Sequence, residues 1–269
     1  MIDSRIGRLF APALTTLLVA AAVPASAQTA PPLGTAQSYA VLAGSTVTNT
    51  GPSVIVGDLG VSPGSAVTGF PPGLVSGGAI HAADAAALSA QSALTTAYNS
   101  AAGQSCTLDL TGQDLGGQVL TPGVYCFSSS AQLTGTLTLN GQGNAAAIWI
   151  FKIGSTLTTA SSSSVIMSGS GSPCNVFWQV GSSATVGTST SLVGNILALT
   201  SITMTTGANL VGRALARNGA VTLDTNNINA SSCAAIPVPA LPPMFVLALA
   251  LGLAGLGVVR LMRPARPPR

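Results

Sequence analysis

The last third of this chain repeats itself every 18 residues. Ser183–Val186 leads through Leu192–Leu199, and 18 positions on Ser201–Met204 leads through Leu210–Arg217; a third copy opens at Gly219–Thr222 and reaches Ile228. A unit this short excludes helical repeats, which need roughly 30 residues or more each, and suits one turn of a β-solenoid. Stacked turns set equivalent side chains about 4.7–4.9 Å apart, so whatever recurs on the outside becomes a column. Ala184 and Val186 flank Thr185, and Ile202 and Met204 alternate with Thr203 and Thr205. An alternation with period two sends the aliphatic residues inward and the threonines outward. The third copy fits only with a one-residue slip, expected as a bulge, which puts Val221 and Leu223 inward and Thr222 and Asp224 outward. Thr185, Thr203 and Thr222 then form one column, and Thr188, Thr206 and Thr225 a second.

Charge is scarce. Only 6% of residues are charged, against a typical ~25%, with one Lys, one His and no Glu. The net charge of +3 sits at the ends: Arg5 and Arg8 against Asp3 over residues 1–27, and Arg260, Arg263, Arg266 and Arg269 over residues 236–269. Between them, Lys152, Arg213 and Arg217 face Asp58, Asp84, Asp109, Asp114 and Asp224, a balance of −2. No basic footprint for nucleic acid exists there, and no cofactor is expected.

Residues 1–27 read as a secretory signal peptide. Arg5 and Arg8 precede an apolar run from about Phe10 to Val23, and Ala25-Ser26-Ala27 is a small-residue cleavage site. Export permits disulfides. Cys106 and Cys126 lie 20 residues apart, about one turn, which lets them stack and bond; Cys174 and Cys233 then pair by elimination. Metal binding is the rival, although no CxxC spacing is present.

Residues 236–269 form a third segment. A proline-rich linker over residues 236–243 is followed by an apolar stretch, Met244–Val259, and the arginine-rich end. This stretch is expected to be a hydrophobic, transmembrane-like helix, with the basic flank cytoplasmic. The layout resembles the PEP-CTERM and IPTL-CTERM class of Gram-negative sorting signals, which implies cell-surface delivery and a sorting protease as partner. A plain membrane anchor is the alternative.

Residues 28–235 are left as one domain. Between residues 79 and 102 no Pro or Gly occurs before the end, and Ile80, Ala83, Ala87, Leu94, Tyr98 and Ala101 fall at helical spacing. This predicts one long α-helix lying along the side of the solenoid and carrying the sole histidine, His81. The turns extend upstream at a 27-residue offset, since Ile150–Ser155 superposes on Phe177–Ser182 and Val165-Ile166 on Leu192-Val193. That offset is one turn plus a nine-residue excursion over Ser168–Cys174.

Longer motifs carry a resemblance. Leu33–Gly44, Leu120–Tyr125, Asn175–Ala184 and Gly212–Ala216 resemble the DUF3494 family of ice-binding-like proteins over about residues 33–233. The resemblance implies a mainly β fold: an irregular right-handed β-solenoid of triangular section with an α-helix packed alongside. It also implies adsorption to an ice crystal surface through one flat face. The family's signature, Thr-(Ala/Gly)-x-(Thr/Asn), is met by Thr206-Gly207-Ala208-Asn209 and partly by Thr188-Ser189-Thr190-Ser191, while Ser161–Ser164 loses it. The candidate ice-contacting residues are therefore Thr185, Thr188, Thr190, Thr203, Thr205, Thr206, Asn209, Thr222 and Thr225.

Two other functions compete. Val180, Val186, Leu192, Ala198, Met204 and Leu210 recur every six residues, as in hexapeptide acyltransferases, but those use a His base, and the scattered aspartates do not suit a lyase. A surface adhesin or matrix protein on the same solenoid is the stronger rival.

Overall fold

The computed structural model of this chain describes residues 28–233; the expected signal peptide and the expected hydrophobic helix over residues 244–259 lie outside them. Each turn has three sides. The chain passes through a side that carries the helix, a threonine side and a third side, and every strand pairs in parallel with its counterpart in the next turn. The threonine side is a 7-stranded sheet. The other two merge into one 15-stranded sheet, because strands Ser191–Ala198 and Asn209–Ala216 run straight through the corner between them. Gly194 and Gly212 make that corner with φ of 105° and 145°. A Cβ on Gly212 would fall 1.9 Å from the Gly194 carbonyl oxygen, so only glycine lets the turns close on each other there.

The turns do not stack in chain order. Those built from residues 108–229 come first along the axis, and the N-terminal turns are added beyond the last of them. Val41 pairs with Ala214, Val47 with Val221 and Val54 with Asn227. The next layer follows through Asp58–Val61, Ala66–Thr68 and Leu74–Ser76, and Ile80–Ala82 ends the stack. The helix, Ala85–Ala102, carries the chain back along the helix side to the opposite end at Leu108–Asp109. Its 18 residues span about 27 Å at ~1.5 Å per residue.

Inward residues fill the solenoid. Phe151 and Trp178 stack with centroids 4.1 Å apart, and the indole N–H groups of Trp149 and Trp178 donate to the carbonyls of Leu120 and Val193. A second core lies between helix and sheet, where Ala90, Leu94, Ala97 and Ala101 meet Leu42, Ile150, Phe177, Leu197 and Leu215. Alanine on the helix lets its backbone approach a flat sheet closely.

Three expectations need correction. The helix begins at Ala85 rather than residue 79, because Ile80–Ala82 pairs as an edge strand with Asp58–Val61. Ala83 then turns the chain with φ 53°, and the Asp84 carboxylate caps the helix by accepting from the Ala87 N–H at 2.8 Å. His81 consequently sits on that strand and not on the helix. The one-residue slip is not a bulge either: Ile202, Thr203 and Met204 pair in unbroken register with Val221, Thr222 and Leu223, and the extra residue is taken up in the corner between Ala216 and Val221. The nine-residue excursion is where it was expected, in the turn and short 3₁₀ segment before Val176.

Candidate ice-contacting face

Thr185, Thr203 and Thr222 are adjacent on neighbouring strands of the threonine side. The column is longer than the repeat showed. Thr158 precedes Thr185, Thr48 follows Thr222, Thr68 follows Thr48, and Gln132 closes the far end beside Thr158. Thr158 was within reach of the 27-residue offset. Thr48 and Thr68 were not, since their strands enter the stack from the other end of the chain. The only trace they left is local alternation, Thr46-Val47-Thr48 and Ala66-Val67-Thr68.

Inward neighbours hold these threonines in one plane. Leu157, Ala184, Val186, Ile202, Met204, Val221, Leu223 and Val47 are each at most 1% exposed. Their β-branched outward partners keep a restricted χ1, so methyl and hydroxyl alternate over a rigid strip. Among the described residues, the hydroxyls of Thr158, Thr185 and Thr203 have no protein partner, while Thr48 donates to Thr222 at 3.4 Å. A parallel column of short side chains runs beside it through Ser130, Thr156, Ser183, Ser201, Ala220 and Thr46. Ser130 accepts from the Thr156 hydroxyl at 2.8 Å, and between Thr158 and Thr68 no long side chain rises from either column.

The remaining candidates lie elsewhere. Thr188, Thr205, Thr206 and Thr225 form the corner with the third side. Thr188 and Thr205 hydroxyls meet at 3.3 Å, so Thr188 is partnered by Thr205 rather than Thr206. Asp224 accepts hydrogen bonds from the Thr206 hydroxyl at 2.5 Å and the Thr225 hydroxyl at 3.0 Å, which ties this carboxylate into the corner. Asn209 opens a strand of the third side, beside Ser191 and Asn227.

Thr190 is not a surface residue at all. It is fully buried, donates to the Ala160 carbonyl at 3.0 Å and meets the Thr159 hydroxyl at 3.1 Å. The cause is a left-handed residue at this corner in turn after turn: Ser162, Ser189, Gly207 and Thr225 have φ of 59°, 56°, 70° and 55°. The residue after each points inward and is buried: Ser163, Thr190, Ala208 and Asn226. Asn226 shows the role of this internal ladder, giving its amide to the carbonyls of Thr205 and Ala208 at 2.8 and 3.0 Å. The four-residue signature at Thr206–Asn209 thus encodes the corner, not the flat strip.

Both cysteine pairs are bonded as expected, Cys106 to Cys126 and Cys174 to Cys233. Cys106 is not the register partner of Cys126; Asp109 is, and the bond crosses from the loop before that strand. At the opposite end, His81 Nδ1 lies 2.7 Å from Asp84 and its Nε2 4.0 Å from Asp58. Burial, with those two carboxylates nearby, pushes the Tyr39 phenol up to about 12. Among the described residues no three His, Cys, Asp or Glu side chains converge as a metal site.

Residues 41–229 match the family described as Ice-binding-like. The ice-binding protein of Nostoc sp. (strain HG1) is 61% identical over 198 residues, 73% of this chain and 73% of the relative. That of Flavobacterium frigoris (strain PS1) is 34% identical over 212 residues, 73% of this chain and 75% of the relative. Two crystal structures superpose well. An ice binding protein from an Antarctic biological consortium gives a TM-score of 0.74 at 46% identity, covering 77% of this chain and 94% of that one. The ice-binding protein of the Antarctic ascomycete Antarctomyces psychrotrophicus gives 0.73 at 41% identity, covering 75% and 98%.

Proposed function

The chain belongs to the ice-binding-like family, and we propose that it adsorbs to ice through its threonine side. The observation that carries this reading is the unbroken column from Thr158 to Thr68, six threonines on six stacked strands. Ice offers a rigid, periodic array of water oxygens. A surface that meets it must itself be flat, periodic and free of strongly hydrated charge, and this strip is all three. Free hydroxyls hydrogen-bond to surface water while the methyl groups fill the gaps between. Strong local order on the protein matters because a surface that had to freeze out its own rotamers on contact would lose that entropy in binding.

The same reading takes the coil as right-handed, the sense that parallel crossovers adopt in about 98% of cases. It also takes the protein as exported and surface-attached, through the leader over residues 1–27 and the apolar stretch Met244–Val259 with its sorting protease. Both assignments follow from the order of basic, apolar, small and proline residues in each segment.

Purified protein is expected to shape growing ice crystals and to depress the freezing point below the melting point. Crystals that grow as unshaped discs at high protein concentration would move the fold to the adhesin reading.

A further inference from the structure

Arg213 is the only charged side chain buried among the described residues, at 1% exposure. Among the described residues no carboxylate meets it. Its Nε and Nη2 donate to the Gln37 carbonyl at 2.9 and 2.6 Å, Nη2 also donates to the Cys233 carbonyl at 3.0 Å, and Nη1 donates to Asn195 Oδ1 at 2.8 Å. Asn195, itself buried, gives its amide to the carbonyls of Cys174 and Val176 at 3.0 and 3.1 Å. Desolvation pulls the guanidinium down to about 10, which leaves it charged at neutral pH. A lone buried cation is costly. The preceding strand at the equivalent level does without one, since the register partner of Arg213 there is Asn195.

The location gives this cost a meaning. Gln37 belongs to the 3₁₀ turn that leads into the first strand, Tyr39–Ala43, and Cys233 to the 3₁₀ turn that follows the last, Asn227–Asn229. Both ends of the domain are therefore gripped by one side chain. The Cys174–Cys233 bond ties the same point to a further turn, across 59 residues of sequence. The strand leading to Cys233, Asn227–Asn229, is not an edge: Asn209–Val211 flanks it on one side and Val54–Val56 on the other. All of this sits at the corner between the third side and the helix side, the one corner of the section that does not border the threonine side.

We propose that Arg213, Asn195 and the Cys174–Cys233 bond form a strain-relief clamp for a C-terminal tether, so that the domain grips ice on one side while its tail is pulled from the other. This rests on the surface-attached reading above. The physical logic is that a pull on an edge strand breaks its hydrogen bonds one after another. A pull on an interior strand, bonded on both sides and cross-linked to a third turn, must break many at once. The guanidinium suits the point of entry because its planar fork holds carbonyls from separate segments at once, whereas a hydrophobic residue there would hold none. The partner at the tail is a membrane, supplied by the 16 apolar residues Met244–Val259.

The test pulls the full mature chain from handles at its two ends and follows amide exchange on the same protein. Arg213→Lys keeps the charge but cannot hold the separate carbonyls. Amides around Gln37 and Ser231–Cys233 should then exchange roughly tenfold or more faster, the scale expected when charge-assisted hydrogen bonds are lost. The wild type should rupture in one high-force event, and the variant should release its ends earlier at lower force. Ice shaping should not change. Replacing Cys174 and Cys233 together by Ser leaves Arg213 in place and should likewise free the C-terminal strand early; it decides the question if the Lys variant does not fold. Unchanged rupture and exchange in the folded variants overturn the clamp, as does exchange that rises equally over every turn, which would make Arg213 an ordinary core residue. A protein that resists pulling yet fails to shape ice keeps the clamp and removes the ice reading.

Discussion

The helix side and the threonine side are built from the same turns, yet one is covered and the other bare. On the helix side the outward residues of three successive turns are large and aliphatic, Leu197, Leu215 and Leu42, and the helix buries them. On the threonine side the equivalent outward positions are Thr48, Thr185 and Thr203, and nothing among the described residues covers them. Backbone, pairing and inward packing are alike. The difference is carried by one outward residue per turn, which decides whether a face is closed by a helix for stability or left open for an external surface. Burying a Leu is worth about 1.5–3 kcal/mol, enough to recruit a helix when summed over several turns; a threonine column offers no such return.

This contrast can be broken most strongly at its two centres. Thr203→Tyr raises a ring above the strip and should remove most of the thermal hysteresis, about tenfold or more in ice affinity or about 1.4 kcal/mol, with the melting temperature nearly unchanged. Leu94→Ala on the helix should do the reverse. Leu94 is fully buried, so about 2–5 kcal/mol of stability should be lost, while hysteresis per folded molecule stays the same. Equal effects of both variants on hysteresis would mean the face has been misplaced. A smaller change tests how far the strip extends: Thr48→Tyr, on a strand from the other end of the chain, should lower hysteresis clearly but less than Thr203→Tyr. If it has no effect, contact is confined to the regular repeat.

Acid should separate the sides further. The Asp84 carboxyl is held below its ordinary 3.8, first by the Ala87 N–H and then by His81. A carboxylate depressed in the folded state adds stability above its unfolded value and loses it as pH falls through the folded one. Titration below about 4 should therefore loosen the start of the helix, and Asp84→Ala should lower the melting temperature by a few degrees and abolish that acid-side loss, read by circular dichroism. The smallest effects are expected from Thr203→Val, which keeps the branched shape, and from Ser92→Tyr on the exposed side of the helix. Hysteresis that falls as far with Val as with Tyr would show that the hydroxyls, and not flatness, carry the contact.

From Val176 to Ala216 the 18-residue repeat was enough to align neighbouring turns, because they are also neighbours in sequence and share one length. Elsewhere the physics left less trace. Thr48 touches Thr222 across 174 residues, a pairing that no period can express, so the N-terminal half of the threonine column was invisible to the repeat. Thr190 was misread because alternation holds only along an extended strand; the left-handed Ser189 before it resets which side faces in. His81 was placed on a helix because the alanine-rich run carries on in both directions from Asp84, and only pairing with Asp58–Val61 shows that the residues before the cap are a strand. The bare face itself was legible, but its extent was not.

The order of stacking also governs how such a chain comes into being. Tyr39–Ala43 leaves the ribosome early, but its template, Arg213–Ala216, is made some 170 residues later. Until then the first turns have no edge to grow on, and contacts this distant in sequence close slowly. The N-terminal turns therefore stay unpaired for most of synthesis, while the turns between Gly123 and Ala216 find their partners within a few tens of residues. Once Val221–Asn229 has emerged, the N-terminal segment seals the growing end. A chain truncated before that point loses both its last turn and its first.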